Sequence, residues 1–249
     1  MDAPPPPEAF FSREQLALTR AIADANLALV DELAATTDLA SPGAEGVTVL
    51  AYALLRASHD PSVLPAVTSL VRAGADALDQ NIVGAGTAID LACAAPTPDL
   101  LVAILDGGVS PNAKVRGSTP ILFRAAHERS PGNITALVAR GADVNARDSL
   151  GTPAITYALR AMQLDQVEEL LARGADPRAV NLLGESFMHV LHTVMERQLP
   201  ESPARATLSN IASRYLWEGA AWPPDSPAVE RERLREKGVE PIVPVGASR

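Results

Sequence analysis

Gly141-Ala142-Asp143-Val144-Asn145-Ala146 is the stretch on which the fold turns, because partial copies of it recur on both sides at a nearly fixed interval. Gly74-Ala75-Asp76-Ala77 and Gly108-Val109-Ser110-Pro111-Asn112-Ala113 precede it, and Gly174-Ala175-Asp176-Pro177-Arg178-Ala179 follows. Successive glycines are 34, 33 and 33 residues apart. A period in that range marks a stacked array of supersecondary units, each burying its apolar face on its neighbours.

The residues between the hexapeptides repeat as well. Asp60-Pro61 and Thr97-Pro98-Asp99 start second helices with a cap and a proline where a missing amide hydrogen costs nothing. The stripes Val67, Leu70, Val71; Leu101, Ile104, Leu105; Ile134, Leu137, Val138; and Val167, Leu170, Leu171 then face the stack. First helices open at Gly46-Val47-Thr48, Thr87-Ala88-Ile89, Gly117-Ser118-Thr119-Pro120 and Gly151-Thr152-Pro153, whose threonine hydroxyls are expected to cap them. Leu122 and Ile155 lie three residues after their threonines, one inserted residue that alters how those helices start.

This pattern resembles the ankyrin repeat over roughly residues 13 to 220. Thr119-Pro120 and Thr152-Pro153 match the family's opening, Val167-Glu168-Glu169-Leu170-Leu171 its second helix, and Gly141 to Ala146 its hairpin. The fold implied is an all-α solenoid of five to six stacked helix pairs joined by short β-hairpin loops.

At the N-terminus, residues 1–11 form a Pro-rich, disordered lead. Ser12 and Gln15 then form a capping box, with Leu16, Ile22, Leu29, Val30 and Leu33 as the apolar stripe of an N-terminal cap. The repeat domain spans 12–220 and closes with a degenerate unit opening at Gly184-Glu185-Ser186 and bearing Leu208, Ile211 and Leu216. Residues 221–249 follow as a linker, a charged and solvated helix over 228 to 237, and an extended tail.

Composition excludes several function classes. The net charge of −9 argues against a nucleic-acid partner, and no run approaches the ~18 apolar residues of a membrane span. The single cysteine, Cys93, forms no internal disulfide and suits a reducing compartment; with no secretory signal at the start, a cytoplasmic location is expected. His189 and His192 share a helical face but lack a third metal ligand, Asp76 and Asp143 read as hairpin carboxylates, and Gly84-Ala85-Gly86 lacks the lysine of a phosphate loop. No nucleophile, base and oxyanion donor assemble, so no enzyme, cofactor or metal is expected.

A binding module remains. The resemblance implies a concave surface of hairpin tips and first helices, with partner choice resting on residues outside the signature. By register these are Leu78, Asp79, Asn81, Lys114, Arg116, Arg147, Asp148, Leu150, Val180, Asn181 and Leu182 on the tips, with His127, Glu128 and Arg160 on first helices. A monomer binding a protein partner is expected. The Ala-, Arg- and Pro-rich composition is similar to that of bacterial ankyrin-repeat proteins, among which some are immunity proteins that block a toxin or secreted effector; a scaffold or regulator of a housekeeping enzyme is the alternative.

Overall fold

A computed structural model describes residues 5–79, 86–128, 130, 132–217 and 222–244. Helices account for 56% of the structure, and the strands found are confined to hairpins. The chain divides into two compact units, Met1–Ala142 and Asp143–Arg249.

The first unit holds four helix pairs: α1 (Arg13–Ala23) with α2 (Leu27–Ala34), α3 (Val49–His59) with α4 (Leu64–Arg72), α5 (Ala88–Ala94) with α6 (Asp99–Asp106), and α7 (Ile121–His127) with α8 (Asn133–Ala139). First helices stack on first helices and second on second, α3 on α5 and α4 on α6, so each pair buries its apolar stripe against the next. Ile22, Leu50, Leu54, Val67, Leu70, Ile89, Leu101, Ile104, Ile121, Ile134 and Leu137 are thereby sealed from solvent. Each such side chain contributes about 1.5–3 kcal/mol by leaving water. The second unit repeats the scheme with α9 (Ala154–Arg160) and α10 (Leu164–Ala172), then α11 (Phe187–Glu196) and α12 (Pro203–Trp217), around Ile155, Val167, Leu170, Phe187, Leu191, Leu208 and Ile211. The helix α13 (Pro227–Glu236) follows. Leu216 and Trp217 lie in α12 at a point where the side chains are outside the described ones.

Helix starts show where the sequence rules hold. Thr48 accepts from the Ala51 amide, and Thr87 forms a full capping box with Asp90. Asp60 caps the short turn Pro61–Val63 that leads into α4. At α7 and α9 the threonines do not cap, because the inserted residue moves each start to Pro120 and Pro153; Thr119 joins a strand instead, and Thr152 is buried between hairpins. Ser12 makes no cap bond either. Gln15 instead donates to the Asp38 and Ser41 carbonyls, tying α1 to the end of its own unit. Leu29 is 37% exposed rather than inward, since Val30 and Ala34 supply the buried side of this short helix. Where a disordered lead was expected, Pro7–Ala9 form a 3-10 turn, Glu8 pairs with Arg20, and Phe11 packs edge-on against Tyr52.

Candidate protein-binding surface

The hexapeptide works as a hinge and a staple. Gly141 adopts φ 90°, a conformation a Cβ would strain, and reverses the chain after α8. Asp76, Asp143 and Asp176 each turn a carboxylate onto amides two or three residues ahead: Leu78 and Asp79, Asn145, and Arg178 respectively. The asparagine reaches the next repeat. Asn112 donates to the Gly141 carbonyl at 2.9 Å, and Asn145 donates to the Gly174 carbonyl at 3.1 Å while accepting from the Asp176 amide at 2.7 Å. The signature is spent on architecture, and the remaining candidates are the positions between.

In the first unit those positions lie on the hairpin of β1 (Lys114–Val115) and β2 (Thr119–Pro120), on its predecessor, and on the first helices. The Arg116 amide donates to the Leu78 carbonyl at 3.2 Å, so the two tips lie side by side. Asp79, Lys114 and Arg116 are exposed there, and Leu78 is half-buried. On α7, His127 is exposed beside Glu128, with Nδ1 and Oε1 3.6 Å apart, and Arg124 pairs with Asp90 of α5 at 3.1 Å. Leu55 on α3 presents an apolar surface, 38% exposed. Asn81 and residues 84 and 85 lie outside the described residues.

The second unit departs from expectation. Arg147 donates through Nη1 to the Gly151 and Val180 carbonyls, at 3.0 and 3.1 Å, and so clamps two hairpins. Asp148 is equally engaged: Oδ1 accepts from the Leu150 and Thr152 amides, both at 2.8 Å, and Oδ2 from the Tyr157 hydroxyl at 2.7 Å. Burial, and then that bond, push the Tyr157 phenol up to about 12. Asn181, read as a contact residue, is 1% exposed and takes Asp148's place in the next hairpin, accepting from the Leu183 and Glu185 amides. Arg160 meets Glu185 at 2.6 Å. Leu150 alone among the second-unit candidates is an exposed side chain with no such structural role, at 36%.

Val180 and Leu182 are half-buried, and the chain's own C-terminal segment lies beside them: the Ile242 amide donates to the Leu182 carbonyl, and Val180 lines a cleft with Glu230 and Arg233. Arg231 of α13, expected on a solvated helix, is 7% exposed and donates to the Leu183 carbonyl at 3.0 Å. Two participants carried no functional expectation in the sequence, Tyr157 and Glu185. The signal was the spacing, since Asp148-x-x-x-Thr152 and Asn181-x-x-x-Glu185 are the same amide-capturing turn one repeat apart.

The remaining chemical candidates are structural. Cys93 is sealed in α5, and burial pushes its thiol up to about 12. Burial likewise lowers the pKa of His189, and His192 packs edge-on against Trp222, ring centroids 5.1 Å apart. Among the described residues no three His, Cys, Asp or Glu side chains gather as a metal site, and no helix is long and apolar enough to cross a membrane.

No protein-family model and no curated protein matches the sequence. Among solved structures, the chain is similar to the ankyrin repeat domain of Bcl-3, a unique member of the IkappaB protein family: 26% identity over 72% of this chain and 85% of that one, TM-score 0.54. It is also similar to EF0377, an ankyrin repeat protein, at 20% identity over 81% of this chain and 98% of that one, TM-score 0.55. The chain has the ankyrin-repeat fold. In this ankyrin array the hairpin signature is bonded internally, and Asp79, Lys114, Arg116 and His127 of the first unit are exposed.

Proposed function

We propose that this ankyrin-repeat chain is a non-catalytic module that binds a partner protein through the tips and first helices of its first unit, around Asp79, Lys114, Arg116 and His127, with Leu55 as an apolar contact. The observation that carries the reading is the division of labour within each repeat. Asp76 and Asn112 are committed to the backbone, whereas Lys114, Arg116 and His127 are exposed side chains outside the signature. Cationic and imidazole side chains, with an exposed leucine elsewhere on the first helices, suit an interface anchor, and here they favour an acidic patch on the partner.

The specific form we propose is blockade of a toxin or secreted effector by an immunity protein. Its support is the similarity of composition to bacterial ankyrin-repeat proteins.

The test is capture from the native cell with wild type and the triple variant Lys114→Glu, Arg116→Glu, His127→Glu, quantified by mass spectrometry. Circular dichroism should show the fold retained, because exposed substitutions usually stay within about 0.5 kcal/mol each. A specific partner should be lost from the variant. Equal recovery of that partner by both would move the binding surface elsewhere, and a partner whose toxicity is unaffected by the wild-type chain would remove the immunity role.

A further inference from the structure

Within each unit, tips are linked by single backbone bonds. The Arg116 amide donates to Leu78, and the Leu182 amide donates to Leu150 at 2.8 Å. Both donors sit eight residues past their hairpin glycines, Gly108 and Gly174. In the hairpin that follows Gly174, the carbonyl one repeat on from Leu150 is that of Leu183, and it accepts from the Arg231 guanidinium at 3.0 Å. Next to it, the Leu182 carbonyl accepts from the Ile242 amide at 2.7 Å.

Gly184 marks the approach. Its φ is 79°, and a Cβ there would overlap the Pro227 carbonyl oxygen and stand 2.9 Å from Arg231 Cγ. The helix α13 therefore rests directly on hairpin backbone. Val229, Val239, Ile242 and Val243 remain exposed while Pro241 is buried, and a cleft of about 310 Å³ stays open between Val180 and Met188 on one wall and Glu230 and Arg233 on the other. The three ion pairs of Arg233 and Arg235, to Asp225, Glu230 and Glu232, are local to the segment. The polar contacts that seat the segment on the hairpin are the Arg231 guanidinium and one backbone bond.

We propose that residues 226–244 are a built-in terminal tip. They occupy the edge of this hairpin through the Leu182 and Leu183 carbonyls, and they keep that edge from pairing with the same edge of a second copy of this chain. An open edge of unpaired backbone groups is a template for association, and an array needs a polar end to stay soluble. The contact is made of hydrogen bonds rather than a sealed core, so it opens more readily than the repeats do. This goes beyond the proposed partner surface, which lies on the first unit.

The two tip glycines supply the experiment. Gly151 and Gly184 are 33 residues apart and have φ of 75° and 79°, so alanine strains both backbones alike. At Gly151 the added Cβ finds only ordinary contacts, the nearest at 3.8 Å, whereas at Gly184 it displaces α13. Wild type, Gly151→Ala and Gly184→Ala, each confirmed folded by circular dichroism, are treated with trypsin in the native state. Cutting after Arg231 should be ~tenfold faster in Gly184→Ala than in Gly151→Ala, in proportion to the open population. Light scattering on the uncut proteins should show Gly184→Ala alone gaining a dimer or larger species as concentration rises. Arg231→Met, which loses the donor together with the trypsin site, should move the light-scattering readout the same way. Equal cutting of the two alanine variants would overturn the docking. Faster cutting with a strictly monomeric Gly184→Ala would overturn the guarding role.

Discussion

Asp148 was read from sequence as a partner-facing carboxylate, and the structure makes it the post around which a hairpin is wound, a difference that mutation can measure. Asp148→Ala deletes three hydrogen bonds to one carboxylate. Bonds to charged groups are worth about 1.5–3 kcal/mol each when sealed, but the side chain is half-buried and water can reach the freed amides. Discounting the two backbone bonds to about 0.5–1 kcal/mol each and the phenol bond to about 1 gives a loss of about 2–3 kcal/mol. Asp148→Asn is the informative companion, because Asn181 already holds the next hairpin with an amide oxygen on the Leu183 and Glu185 amides. It should cost about 1 kcal/mol or less, with the two backbone bonds kept.

Two units need not melt together, so a single midpoint would blur the comparison. Amide hydrogen exchange at Leu150 and Thr152 reads the hairpin directly. Alanine should expose both amides and asparagine should protect them. If the two variants exchange alike, the carboxylate is not what holds the turn. Tyr157 gives a second readout. Its phenol titrates near 12, chiefly through burial and secondarily through Asp148, so its contribution to stability is complete below the ordinary tyrosine range and is lost as pH rises through about 12. Asp148→Asn should lower that value only part of the way, as followed by ultraviolet absorbance.

Two further outcomes are expected. Leu170→Ala hollows a position that is 0% exposed in α10 and should destabilise the second unit by about 2–5 kcal/mol, measured by urea unfolding; an unchanged curve would contradict its placement in the core. Cys93, buried with its thiol raised to about 12, should resist a thiol-reactive chromophore at neutral pH until the chain is unfolded, and rapid native labelling would contradict that burial.

The repeat was legible because its signature is local. A glycine at positive φ, an aspartate reaching two residues ahead and a stripe at helical spacing all leave their mark within a few residues, and the interval between copies supplies the stacking. What escaped were contacts decided at long range. Gln15 obeys a capping-box pattern yet spends its amide on Asp38 and Ser41, 23 and 26 residues away. Arg231 sits in a run of charges that reads as solvated, and only the return of the chain to Leu183, 48 residues earlier, buries it. Threonine capping failed at Thr119 and Thr152 for a local reason, the inserted residue, which the sequence did display.

The arginines show why exposure alone does not make a binding site. Arg160 is exposed, and for a partner's carboxylate to engage it the guanidinium must leave Glu185 at 2.6 Å, exchanging one ion pair for another. An exposed pair is worth only about 0.2–1 kcal/mol, and the exchange cancels most of that. Glu185→Gln separates the alternatives. It removes the charge facing Arg160, while the glutamine side-chain oxygen can still accept from Asn181, whose amide lies 3.1 Å from the carboxylate. A partner that used Arg160 would then find an uncompensated cation and bind more tightly, with a steeper response to salt than wild type. Because the proposed surface rests on Lys114, Arg116 and His127, the expected result is unchanged partner recovery at low and high salt. A salt-sensitive gain in Glu185→Gln would bring Arg160 back into the interface and show that its pairing with Glu185 restrains binding.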